Sequence, residues 1–263
     1  MRILCLTALL LSLLLTGCAG KDYDPTADWT AEDFYREASS ALKRAEFEVA
    51  IEFLETLEAR FPFHRYAKQA QLDVAYAYYK YDEPDSAISA ADRFMRLHPR
   101  DPHVDYALYL KGLANFYRGK GLFDRWLTRD FARHDPQSLT DAMRDFSDLI
   151  QRFPDSRYAT DAYRRLVFLR NELAEREVNI AKYYIKRGAW LAAINRAQYT
   201  VERYQQTPAA REALQVMVTA YQKLGMDDLA ADAQAILAAN PIGNTDSVPP
   251  PEEENALPPA VGE

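Results

Sequence analysis

Three alanines in this chain each stand twelve residues ahead of a proline: Ala50 and Pro62, Ala87 and Pro99, Ala142 and Pro154. The stretch from Ala142 to Leu173 shows what that spacing encodes. Ala142, Phe146, Leu149, Ile150 and Phe153 step by 4, 3, 1 and 3, which draws one apolar stripe along a helix. Pro154 closes that helix, because it has no N–H and disfavours helical geometry in the residue before it. Asp155 and Ser156 are N-cap types. Ala162, Leu166, Leu169 and Leu173 then draw the stripe of a second helix. A joint of helix, proline and helix recurs along the chain, and an irregular helical bundle has no reason to keep the interval.

Two looser copies extend the series. Ala193 precedes Pro208 by fifteen residues, and Ala230 precedes Pro241 by eleven. Nine residues before four of the five alanines stand Ala41, Tyr78, Tyr184 and Tyr221. Four residues after those come Ala45, Asp82, Gly188 and Gly225, where a short turn belongs. The pattern resembles the tetratricopeptide repeat, an antiparallel helix pair of about 34 residues. Small residues let the paired helices approach, glycine closes the turn, and proline ends the second helix. The expected fold is an all-α solenoid of about five helix pairs.

Composition narrows the chemistry. Nine glycines in 263 residues, and no sustained period-2 alternation, agree with an all-α chain. A net charge of -7 and a pI near 5.3 argue against nucleic-acid binding, whose footprint is basic. His64, His98, His103 and His134 have no metal-ligand spacing, and the first three sit at proline turns where solvent exposure is expected. No metal, no cofactor and no catalytic group is assigned.

Residues 1–17 read as a signal peptide: Arg2, then an apolar run from Ile3 to Leu15, too short to span a bilayer comfortably. Leu15-Thr16-Gly17-Cys18 resembles a bacterial lipobox. That resemblance implies acylation of Cys18, and two or more chains give stable anchoring. Ala19 lacks the aspartate that in such lipoproteins means retention at the inner membrane, so it points to the outer membrane. Cys5 leaves with the signal and Cys18 is acylated. The mature chain then carries no free thiol, which suits an oxidising periplasm.

The remaining divisions follow in order. Residues 18–30 form an acylated tether, with Trp29 expected to pack on the first repeat. Residues 31–136 hold repeats 1 to 3 and an insert, Arg118 to Pro136. In that insert Arg118, Lys120, Arg125, Arg129 and Arg133 interleave with Phe123, Trp126 and Phe131. It is either a loop folded back on the solenoid or a binding lid. Residues 137–241 hold the second helix of repeat 3 and repeats 4 and 5. Asp155 to Arg187 contains neither Gly nor Pro, so a helix of about 30 residues, roughly 45 Å, joins repeats 3 and 4. Residues 242–263, with five prolines and the Glu252-Glu253-Glu254 run, read as a disordered tail.

Further residues are more specific than the repeat. They include Arg60-Phe61-Pro62-Phe63, Tyr76-Ala77-Tyr78-Tyr79-Lys80, Asp92-Arg93-Phe94 and Asp105-Tyr106. They continue with Phe146-Ser147-Asp148, Leu166-Val167-Phe168-Leu169, Arg187-Gly188-Ala189-Trp190 and Asn195-Arg196. Over residues 30–240 the chain resembles the BamD family, lipoproteins of the outer-membrane β-barrel assembly machinery. The resemblance implies a non-enzymatic scaffold on the periplasmic face of the outer membrane. Its partners would be BamA, other lipoproteins of the assembly complex and unfolded outer-membrane proteins. It also implies that Arg196 contacts BamA, from the second helix of repeat 4. The rivals are a pilus or secretion assembly lipoprotein and, with less support, a cell-wall enzyme.

The repeat pattern supplies one more expectation. In tetratricopeptide solenoids the first helix of each pair lines the concave face. Counting pattern positions places Tyr35, Leu72, Tyr76, Tyr79, Tyr106, Tyr109, Leu113 and Phe116 on that face. The five tyrosines suit a surface that holds peptides yet stays soluble, and the resemblance implies substrates with aromatic-rich C-terminal segments that would fit it. Lys43, Lys80 and Arg118 lie near the same rows, placed to meet a terminal carboxylate.

Overall fold

The computed structural model describes residues 24–118 and 136–240. The signal segment, Cys18, the insert interior with His134, and the proline-rich tail lie outside the described residues. Within them the chain is all-α. Ten helices pair in sequence: α1 (Ala31–Lys43) with α2 (Phe47–Arg60), α3 (Arg65–Lys80) with α4 (Pro84–Leu97), and α5 (Val104–Tyr117) with α6 (Pro136–Arg152). The last two pairs are α7 (Ala159–Lys186) with α8 (Trp190–Arg203), and α9 (Pro208–Lys223) with α10 (Asp227–Ala239). Each helix packs on the next, and the first helices of neighbouring pairs also touch.

The spaced alanines sit where the helices approach most closely. Ala50, Ala87, Ala142 and Ala193 are fully buried, and Ala230 nearly so. Gly112 serves the same end in repeat 3: a Cβ there would stand 2.6 Å from Cε1 of the Phe146 ring. All four turn residues take the left-handed conformation. Ala45 has φ 58°, Asp82 66°, Gly188 70° and Gly225 70°. Only the two glycines adopt it without steric cost.

Helices α2, α4 and α6 end two residues before Pro62, Pro99 and Pro154, as the residue-before-proline restriction demands. Pro208 behaves differently from the expectation that it closes repeat 4. Helix α8 stops at Arg203, and Pro208 opens α9, where its missing N–H costs nothing. Thr207 is the N-cap, its hydroxyl accepting from the Ala210 amide at 3.2 Å.

The long helix α7 has 28 residues, about 42 Å. It packs against α6, α8 and α9, so the two halves of the solenoid share one rigid element. It starts at Ala159 rather than at an Asp155 or Ser156 cap. Ser156 instead donates to Asp105 Oδ2 of α5 at 2.7 Å, across the repeat boundary. Other motif residues bond between repeats in the same way. Arg93 pairs with Glu58 at 3.0 Å, while Lys111 bridges Asp92 (2.9 Å) and Asp145 (3.5 Å). His98 is also not the exposed residue expected of a proline turn. It is half-buried, with Nε2 2.9 Å from Gln71 Oε1 and its ring against Phe94.

Candidate functional site

The concave tyrosine face expected from repeat positions is not what the structure presents. Tyr76 and Tyr79 are 7% and 6% exposed, and Tyr106 and Tyr109 are each 1% exposed. Leu72, Leu113 and Phe116 are buried with them. The cause is packing against rings of neighbouring helices and of the Tyr158 joint. Tyr76 meets the Phe47 ring of α2 edge-on, Tyr79 faces Tyr117, and Tyr106 lies against Tyr158. Tyr109 stacks on Tyr158 with ring centroids 5.0 Å apart. These rings cement one repeat to the next. Only Tyr35 keeps a partly open edge, stacked on Tyr66 at 4.6 Å. Among the cations placed near those rows, Arg118 is paired with Asp85 at 2.5 Å. Lys43 stays exposed and Lys80 is half-buried.

Besides the Asn115–Asp145 pair beside Lys111, two buried polar clusters occupy this interior, and periodicity signalled neither. The first joins α1 and α3. Tyr35 donates to Asp73 Oδ2 at 3.2 Å, and Gln69 donates to Asp73 Oδ1 at 2.9 Å. Burial pushes the Asp73 carboxyl up to about 6, against the two hydrogen bonds and the nearby His103, which pull it down. A carboxyl whose pKa is raised in the folded state favours folding below the unfolded value near 4. That contribution disappears as pH climbs through 6. The scale is on the order of 3 kcal/mol. Asp73→Asn should therefore lose pH dependence between pH 4 and 7, and the gap in melting temperature should shift in its favour with rising pH. Thermal unfolding across that range checks this; an unchanged slope would count against it.

The second cluster joins α5 and α7. Arg165 is 0% exposed in its side chain yet charged. Its Nε donates to Asp161, which also accepts the Tyr109 hydroxyl, and Nη1 donates to the Tyr117 oxygen at 3.1 Å. The guanidinium lies over the rings of Phe116 and Tyr117, 5.3 and 5.8 Å from their centroids. The spacing of Leu166, Leu169 and Leu173 marks the apolar stripe but gives no sign that the arginine beside it is buried.

Arg196 lies on the outside of α8. Its side chain is half exposed, and Nη1 holds Glu177 Oε2 of α7 at 2.8 Å. Among the described residues that is its one ion pair. Cys18 lies outside the described residues.

The open surface is elsewhere. A groove of about 520 Å³ runs between α7 and α9, lined by Asn179, Lys182, Tyr183, Lys186, Gln215 and Val216 among others. Lys182 pairs with Glu212 across it, and Tyr183 is half exposed under the Arg187 guanidinium. Amide groups beside an aromatic ring suit an extended polypeptide, whose backbone bonds to the amides while its side chains meet the ring.

Comparison with known proteins gives one consistent result. Residues 27–237 match the model of a family described as YfiO, outer membrane lipoprotein. The chain is 45% identical over 235 residues to the outer membrane protein assembly factor BamD of Neisseria meningitidis serogroup A, covering 88% of each chain. It is 38% identical to the Vibrio cholerae BamD over 237 residues, 90% of this chain and 98% of that one. It is 32% identical to the Haemophilus influenzae BamD over 260 residues, 99% of both.

Proposed function

The chain belongs to the YfiO family of outer membrane lipoproteins, and from that premise we propose that it is a non-catalytic scaffold of outer-membrane protein assembly. It is held at the outer membrane by acylated Cys18, binds BamA and other assembly lipoproteins, and receives unfolded outer-membrane proteins. The observation that carries this reading is the extent of the likeness. The likeness to assembly factors covers 88% and 90% of the chain, far more than one repeat. The two-sided packing of α7 supports it, since a rigid central rod holds two binding halves at fixed separation. The groove between α7 and α9 offers a surface for an extended segment.

BamA contact is assigned to the outer face of repeat 4, through Arg196. A guanidinium with free N–H groups can grip a partner carboxylate in bidentate fashion. The pair with Glu177 is half exposed and contributes little to folding. Arg196→Ala should thus leave helicity and melting temperature nearly unchanged. It should weaken BamA co-purification from detergent-solubilised membranes about tenfold, the scale of one charge-assisted hydrogen bond. Undiminished recovery of BamA with the variant would remove Arg196 from the interface. Recovery of pilus or secretion components with the wild-type chain, and no BamA, would favour the rival assembly role. Turnover of peptidoglycan fragments would favour the enzyme.

A further inference from the structure

Phe63 is completely exposed, alone among the large apolar side chains described. Its neighbour in sequence is not: Phe61 is half-buried, its ring 6.3 Å from that of Phe34. Pro62 stiffens the loop between them, and the His64 amide closes it by donating to the Phe61 carbonyl at 3.0 Å. No internal packing explains a phenylalanine held outward on a stiff loop.

The loop's position in the molecule supplies an explanation. Antiparallel pairing puts the start of α1, the α2–α3 loop and the α4–α5 loop at one end of the solenoid. Arg60, at the end of α2, binds the first described residues. It forms an ion pair with Asp24, and its Nη1 donates to the Thr26 carbonyl at 2.9 Å. Asp24 lies six residues after Cys18. Six residues span at most about 20 Å. An acylated Cys18 therefore keeps this end of the body within a short leash of the bilayer.

The same end has the chemistry of an interfacial surface. Leu97, the last residue of α4, is more than half exposed. Arg65 and Arg100 are exposed and make no ion pair among the described residues, Arg65 lying over the Tyr66 ring with its Nη2 donating to the Tyr66 hydroxyl at 2.6 Å. Two acids nearby are engaged, Asp24 with Arg60 and Asp101 with Lys68 and His103, while Glu32 lies beside His64 and Arg65. In a chain of net charge -7, two exposed arginines beside an outward phenylalanine distinguish this edge.

We propose that the edge carrying Phe63, Leu97, Arg65 and Arg100 is a membrane-contact surface that rests on a phospholipid bilayer beside the acyl anchor. The aromatic ring enters the headgroup boundary and the guanidinium groups meet lipid phosphates. The lipid anchor fixes the chain to the membrane, and this edge fixes its orientation, with the opposite turns at Ala45, Asp82 and Gly188 pointing away. The inference rests on the reading of Cys18 as the anchor.

The chain's cysteines are at positions 5 and 18 only, the first in the signal and the second acylated. Phe63→Cys thus offers a single thiol for an environment-sensitive NBD label, and Tyr81→Cys, at the opposite end and also exposed, offers the control. The full acylated chain is mixed with vesicles of phosphatidylethanolamine and phosphatidylglycerol. Doxyl-labelled lipid should quench the label at 63 at least twofold more than at 81. Adding Arg65→Gln and Arg100→Gln should bring the two positions closer together. Flotation of the same samples reports on the anchor separately: protein that floats without preferential quenching at 63 sinks this inference and leaves the anchor standing. If the protein does not float, the anchor reading fails. The label at 63, placed with Cys5 and Cys18 changed to serine, then decides the edge, and emission unmoved by millimolar lipid overturns it. Shielding of position 63 by a protein partner instead of lipid overturns it as well.

Discussion

Replacing Cys18 with alanine should move the protein from the membrane fraction entirely, or leave it unprocessed with its signal attached. No helix among the described residues is long and apolar enough to cross a membrane. The Leu15-Thr16-Gly17-Cys18 tetrad supplies one thiol at the signal boundary. Each buried methylene of an acyl chain stabilises membrane residence by about 0.8 kcal/mol, and two chains together hold a protein stably. The Phe63 edge alone is far weaker, so it should not retain the variant through washing. Carbonate-washed membranes and mass spectrometry of the mature N-terminus check the reading. A wild-type N-terminus without acyl chains would end it. A Cys18→Ala variant that is processed and stays membrane-bound would point to partners as the anchor.

Arg165→Ala should be the most damaging single change within the described solenoid, at about 3–5 kcal/mol. The substitution strips Asp161 of its cation, removes the donor to the Tyr117 hydroxyl, and empties the space beneath Phe116 and Tyr117. Because the site joins α5 to α7, the loss falls on the seam between the two halves. At roughly 2–4 °C per kcal/mol for a chain of this size, melting should drop by about 10 °C. Arg165→Met separates the contributions. A methionine refills part of the volume and loses the charge, so it should fall between wild type and alanine if packing over the two rings matters. Equal losses for Met and Ala would assign the whole effect to the ion pair. A wild-type melting curve for Ala would refute the cluster's structural role.

The repeat architecture was written in the order of residues. Alanines at twelve residues from proline fixed the helix pairs, because only a small residue admits a close crossing and only a proline stops a helix at a set place. Ala45, Asp82, Gly188 and Gly225 marked the turns, and all four are left-handed. The absence of Gly and Pro after Asp155 announced the long helix α7 to within a few residues of its ends. Tertiary structure alone decided which way the rings turn. A repeat position names a row on a helix, but the rings of neighbouring helices decide whether that row lies on an open face or in a seam. That is how Tyr76, Tyr79, Tyr106 and Tyr109 came to be buried between repeats. Charge inside the core was equally illegible. Arg165 and Asp73 each have one partner a turn away, Asp161 and Gln69, but the contacts that seat them in the interior come from other helices, Tyr117 and Tyr35, and no local pattern records a partner 48 or 38 residues distant. Pro208 carried the same ambiguity at short range, since a proline ends one helix and begins another with equal ease, and only the packing of α8 against α9 shows which it does.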